Sequence, residues 1–134
     1  MSARLVPAAA LLAAAFLVAP AAATERGPYK VRSGGSAVIL TYASYNPDTC
    51  YFGALPRLTV VQPPAHGSVS PGVTTGTSNT TRCAGKTFKW TTLTYQSKGG
   101  FRGRDTVVVD VETDVYVNGI GKRSDRVAIT VDVQ

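Results

Sequence analysis

The chain has 134 residues, a formal net charge of +6 at pH 7, 44% hydrophobic and 16% charged residues, and two cysteines. Plentiful apolar and sparse charged residues exclude intrinsic disorder, and the length bounds the chain to one domain with one core. No C-x-x-C spacing and no histidine cluster is present, so no metal site is legible.

Met1 to Pro7 carries one positive charge, Arg4, and Ala8 to Ala19 is an unbroken apolar run that Pro20 ends before Ala21-Ala22-Ala23. A charged start, a short apolar stretch and small residues at the cleavage positions predict a secretory signal peptide over residues 1–23, cleaved after Ala23. The run is shorter than the roughly 20 residues of a spanning helix. No transmembrane segment is therefore expected in the mature chain, and its end, Val131-Asp132-Val133-Gln134, has no anchor pattern. An alanine-rich signal is expected of a bacterial protein, periplasmic or secreted. In such a compartment Cys50 and Cys83 predict one disulfide.

Residues 24–134 read as one all-β domain. Helical periodicity is absent, and short β-branched runs are separated by Gly, Pro and Asn. The predicted strands are Tyr29–Arg32, Ser36–Ser44, Arg57–Gln62, Ser68–Ser70, Thr87–Tyr95, Asp105–Val117 and Ser124–Val133. The polar segment Pro71–Gly85 is expected to be the longest loop, with room for a short edge strand.

The last third alternates most clearly: Val107, Val109, Val111, Thr113, Val115 and Val117 on one face, Asp110, Glu112 and Asp114 on the other. Val127, Ile129, Val131 and Val133 repeat the pattern. A two-residue turn at Asn118-Gly119 would set opposite faces together, because a one-residue slip inverts a strand. An odd-length loop, or a bulge at Gly119 or Gly121, is predicted instead, with Val111 opposite Val127, Val109 opposite Ile129 and Glu112 opposite Arg126.

Three segments carry a resemblance: Val60-Val61-Gln62-Pro63-Pro64-Ala65-His66-Gly67-Ser68-Val69, then Leu93-Thr94-Tyr95, then Gly100-Phe101-Arg102-Gly103-Arg104-Asp105. With the closing strand Val127–Val133, the chain from Leu58 onward resembles the bacterial immunoglobulin-like and cadherin-like domains of exported proteins. The resemblance implies an immunoglobulin-like β-sandwich of about seven strands and says little about activity. Phe101 is expected to plug one end of the core, and Asp105 to accept backbone N–H bonds. No acidic run of the cadherin calcium type is present, so calcium is not implied. The Cys50–Cys83 pair and the long strand after Thr106 depart from the usual pattern, as does a single domain where tandem arrays are common.

Candidate functional residues each have two readings. His66, the only histidine, reads as a turn-packing residue, since a general base needs an orienting partner and a nucleophile that the sequence does not nominate. Asp110, Glu112 and Asp114 have the spacing of paired carboxylates that hydrolyse glycosides, and equally that of a solubilising ladder on an outer face. Lys98, Arg102 and Arg104 read as a solvated loop or as a contact for an anionic surface. Tyr42, Tyr45, Tyr51 and Phe52 surround Cys50 and read as a binding loop for sugar or protein, or as core. Asn79-Thr80-Thr81 is a glycosylation sequon that a bacterial chain would leave unused. No catalytic residues and no cofactor are expected, and nucleic acid is not an expected partner. The chain is expected to be a non-enzymatic binding or structural module contacting a protein or an anionic surface polymer; the alternative is a small secreted inhibitor or adhesin-like protein.

Overall fold

The computed structural model describes residues 22–80, 82–115 and 120–134. Most of the predicted signal peptide and the Asn118-Gly119 turn lie outside the described residues. Every regular element among those described is a strand: β1 (Thr24–Val31), β2 (Ser36–Tyr42), β3 (Tyr45–Asn46), β4 (Tyr51–Phe52), β5 (Arg57–Gln62), β6 (Gly67–Thr77), β7 (Thr87–Ser97), β8 (Gly103–Asp114) and β9 (Lys122–Val133). They form a four-stranded sheet in the order β1-β9-β8-β5, a three-stranded sheet in the order β2-β7-β6, and a small hairpin of β3 and β4.

The two larger sheets share one core. Alternation turns Val107, Val109 and Val111 of β8 and Val127, Ile129, Val131 and Val133 of β9 to the same side. There they join Val31 of β1 with Ile39, Leu40, Leu93 and Tyr95 of β2 and β7. Burying each of these aliphatic side chains contributes roughly 1.5–3 kcal/mol. Leu58 and Val60 of β5 and the ring of Phe101 pack against the cluster from its margins.

The β8–β9 register corrects the expectation. Val109 faces Val127, Val107 faces Ile129, and Asp110, not Glu112, lies opposite Arg126. The strands agree in face but are displaced by two residues. A two-residue slide preserves every inward and outward side chain, so the hydrophobic pattern leaves it open. Cross-strand charge is matched instead: Arg126 forks onto Asp110 at 2.7 and 2.8 Å, and Lys122 pairs with Asp114 at the end of the ladder. An odd-length connection, residues 115–121, follows from the pairing of Asp114 with Lys122.

β8 ends at Asp114 rather than running to Val117, and Val115, expected on the inward face, is 53% exposed. β7 and β9 each gain two residues, and two other strands are much longer than predicted. β1 begins at Thr24 and runs parallel to β9 through a bulge between Arg26 and Tyr29. The Gly27-Pro28 pair there, joined by a cis peptide bond, reads as a breaker in sequence. On an edge strand a proline costs no ladder bond if its missing N–H faces outward. Gly27, at φ 103°, is required because a Cβ there would lie 2.4 Å from the Thr130 carbonyl oxygen. The other is β6, which continues through Pro71 to Thr77 and takes half of the expected loop into the sheet edge.

Asp105 holds one end of the domain together. It is 4% exposed, and its carboxylate accepts from the backbone N–H of Ala65 (2.9 Å), His66 (3.0 Å) and Thr106 (3.0 Å) and from the Tyr95 hydroxyl (3.0 Å). The carboxylate thereby fastens the turn before β6 to the first residues of β8, as the sequence leads one to expect. Burial, with the Asp105 carboxylate beside it, pushes the Tyr95 phenol up to about 12.

Replacing Asp105 by Ala would leave these donors without their partner, and we expect it to lower stability by about 3 kcal/mol or more in urea denaturation. In alkaline titration the Tyr95 phenolate should appear near pH 12 and be missing in Tyr95→Phe. Because the folded phenol holds its proton more tightly than the unfolded one, at its ordinary value of 10.0, this contribution is intact below pH about 10 and lost as pH rises towards about 12.

Candidate functional site

The Tyr42–Phe52 and Lys98–Arg104 regions lie at opposite ends of the strands. β2 pairs with β7 antiparallel, with Tyr42 opposite Thr91 at one end and Ser36 opposite Gln96, close to Lys98, at the other. The two candidate loops therefore cannot combine into one surface.

At the first end, β3 and β4 form a short hairpin that pairs Tyr45 with Phe52 and Asn46 with Tyr51. The Asn46 side chain accepts from the backbone N–H of Asp48 (2.8 Å) and Thr49 (3.1 Å), and the Cys50 N–H donates to the Asn46 carbonyl at 2.9 Å. This Asx-type turn closes the tip. It ends on Cys50 at φ 57°, the one non-glycine residue in the left-handed region among those described. A disulfide joins Cys50 to Cys83 with Cα atoms 5.5 Å apart, as predicted, and Arg82 pairs with Asp48 beside it. Cys83 belongs to the connection between β6 and β7, which is closed by bonds from Ser78 N–H to the Lys86 carbonyl and from Gly85 N–H to the Ser78 carbonyl. The hairpin is thus clamped to the ends of two strands of the three-stranded sheet. The chain leaving it is held too, by a buried bond from the Thr91 hydroxyl to the Pro56 carbonyl at 2.7 Å.

The clamp assembles a row of four aromatic rings. Tyr45 packs on Phe52 with centroids 5.8 Å apart, Phe52 stacks on Phe88 at 4.7 Å and nearly parallel, and Phe88 meets Trp90 at 4.9 Å. Phe88 and Trp90 project from the outward face of β7, opposite to the buried Thr91, Leu93 and Tyr95. The six-membered ring of Trp90 lies across β6, where a Cβ on Gly76 would come within 2.1 Å of it, so glycine is the one residue that admits it. Phe52, Phe88 and Trp90 are half-buried, and Tyr45 is 40% exposed. Tyr51, on the opposite face of the hairpin from Phe52, is 59% exposed.

Of the predicted binding residues, Tyr45, Tyr51 and Phe52 come together on the clamped hairpin. Tyr42 is placed otherwise: it sits at the end of β2 and packs against the core cluster. Phe88, Trp90 and Gly76 are not among the predicted binding residues. The signal available was the alternation of Phe88 and Trp90 with apolar Leu93 and Tyr95 on opposite faces of one strand, which marks two rings facing outward.

At the other end, Lys98 and Phe101 close a turn through the Phe101 N–H to the Lys98 carbonyl (3.2 Å), and the Gly100 N–H donates to the Ser33 hydroxyl at 3.0 Å. Arg104 is engaged across the strands with Asp132 at 3.1 Å, whereas Lys98 and Arg102 are exposed and outside every ion pair among the described residues. The His66 ring stacks on Phe101 at 4.0 Å, so it covers the ring that packs against the core.

The acidic trio is distributed over the outer face of the four-stranded sheet. The Arg126 fork holds the Asp110 carboxyl below the usual carboxylate range and raises the guanidinium in return. Asp114 is paired with Lys122, and Glu112 lies between Arg57 and Ser124 on its neighbouring strands. Each carboxylate has a cation or hydroxyl residue directly opposite, the arrangement of a stabilising ladder. No group of three or more potential metal ligands occurs among the described residues.

Removing the clamp with the double substitution Cys50→Ser and Cys83→Ser should lower stability by about 3–4 kcal/mol, the loop-closure value for a bridge of this length, read as a reduced urea midpoint. Comparison with known proteins shows no match to any family model, to any curated protein or to any solved structure.

Proposed function

We propose that the chain is a non-enzymatic, exported immunoglobulin-like domain that works by contact with a protein or a cell-surface polymer, using the clamped hairpin and the aromatic row beside it. The observation that carries this reading is the row itself. Four rings are brought together at a surface, three of them half-buried and one well exposed. The two on the hairpin, Tyr45 and Phe52, are held by a disulfide, an ion pair and a backbone turn rather than by the core, and the two on β7 by the sheet. Rigid aromatic side chains supply contact area at low entropic cost, and a partly exposed group of rings is the usual mark of a recognition surface.

The architectural half of the proposal, a seven-stranded sandwich with an added hairpin, draws support from the strand order. Four strands, β1-β9-β8-β5, and three, β2-β7-β6, contribute to one cluster, an arrangement in keeping with immunoglobulin-like domains. Export draws support from the disulfide. Cleavage after Ala23 would leave β1 whole, since Thr24 is its first paired residue, opposite Val127. A second reading, a secreted inhibitor or adhesin-like protein, is favoured by the rigid hairpin tip around Cys50 and Tyr51; Lys98 and Arg102, at the far end, would then serve as a separate contact for an anionic polymer.

Capture from envelope extracts tests the reading. The intact domain should retain a partner that a Tyr51→Ala, Trp90→Ala variant retains about tenfold less well or worse; equal capture by both, or none by either, would refute it. A Lys98→Ala, Arg102→Ala variant should behave as the intact domain unless the far loop carries the contact. Mass spectrometry of the exported protein should find Thr24 at its N-terminus.

A further inference from the structure

Charge is unevenly distributed between the two larger sheets. The outer face of the four-stranded sheet carries the pairs Asp110–Arg126, Asp114–Lys122 and Arg104–Asp132. The outward side of the three-stranded sheet carries none. Every outward residue of β6 from Ser68 to Gly76 and of β7 from Phe88 to Gln96 is uncharged, as are Ser36, Val38 and Thr41 on β2. In a chain of net charge +6, this face matches neither an anionic polymer nor a charged protein patch, because nothing on it would pair with the partner's charge once water left.

Its chemistry is hydroxyl-rich. Thr74 lies directly opposite Trp90, Ser70 opposite Thr94, and Thr41 continues the row of Thr92 onto β2. Thr74, Ser70 and Thr41 are exposed. Trp90 crosses this surface over Gly76, half-buried, and its indole N–H donates to no described residue. Large exposed aliphatic groups, which a protein interface core requires, are limited here to Val38.

We infer that the outward face of β2, β7 and β6 binds a neutral, extended polysaccharide. The indole of Trp90 packs against the C–H face of a sugar ring, and the Thr and Ser hydroxyls exchange hydrogen bonds with sugar hydroxyls along the strands. Hydroxyl-to-hydroxyl bonding requires no charge, and an apolar ring face suits the C–H side of a pyranose. This assignment rests on the reading of the aromatic row as the contact surface and names the class of polymer it contacts.

Trp90 is the only tryptophan, so intrinsic fluorescence reports on the site directly. Full-length mature domain is titrated with hydroxyethyl cellulose, laminarin, galactomannan and chitohexaose. Polygalacturonate serves as the anionic arm, and each titration is run at low and high salt. At least one neutral polymer should change the emission in a saturable manner that salt does not weaken. Trp90→Phe, which lacks the indole and is therefore followed by isothermal titration calorimetry alongside the parent, should bind more weakly, and Thr74→Lys, which places a charge opposite Trp90 on an exposed position, should lose about tenfold or more in affinity, both with the circular dichroism of the parent. Retention of the parent's affinity in Thr74→Lys, no response to any neutral polymer, or a response confined to polygalacturonate and abolished by salt would overturn the inference. If Tyr51→Ala, Trp90→Ala loses envelope capture while no neutral polymer binds, only the polysaccharide assignment falls. If that variant captures as the parent does, the contact surface falls with it.

Discussion

The interaction on which everything else depends is the burial of one face of β8 and β9. Seven aliphatic side chains, three from β8 and four from β9, are at most 4% exposed, and they meet Ile39, Leu40, Leu93 and Tyr95 of the other sheet in a single cluster. With each such side chain contributing roughly 1.5–3 kcal/mol, this shared cluster joins the two sheets without help from the surface ion pairs, which are individually weak. Because the core occupies the inward faces, the outward faces are free to differ. One sheet carries a charged ladder, and the other carries hydroxyls and aromatic rings.

The two ends of the domain are secured by different chemistry. At one end a buried carboxylate, Asp105, gathers three backbone N–H groups and a phenol, and the His66–Phe101 stack covers the core beside it. At the other end a disulfide, an ion pair and an Asx-type turn hold a two-stranded hairpin that contributes little to the core. The first arrangement seals, because a charge satisfied by four donors tolerates no rearrangement. The second positions: it fixes Phe52 against Phe88 and leaves Tyr45 and Tyr51 in contact with water. It is at this clamped end that the proposed contact surface lies.

Glycine and proline mark where sequence rules and structure part company. Gly27-Pro28 and Pro71 both read as strand breakers, yet both lie inside edge strands, where a missing N–H need not face a partner. Gly76 reads as a loop residue in a polar segment, but its missing side chain is the space that Trp90 occupies. In each case local propensity gave way to a contact from a strand distant in sequence.

Alternation in the sequence was sufficient to determine the all-β class, the strands Arg57–Gln62 and Thr87 onward and the inward faces of Val107 to Val111 and of Val127 to Val133, because side-chain direction has a period of two and burial acts on each residue separately. The roles of Asp105 and Phe101 were legible instead from the glycine-rich turn that holds them. The two cysteines likewise announced their bridge. The register of β8 against β9 was decided only by the tertiary structure, since a slide of two residues leaves every face unchanged and the choice falls to Asp110, Asp114 and their cations. The candidate site was decided there as well. Tyr45 and Phe52 are legible as a cluster around Cys50, but Phe88, Trp90 and Gly76 join them from strands 24 to 45 residues away in the chain, and no local pattern encodes which outward rings a disulfide will bring side by side.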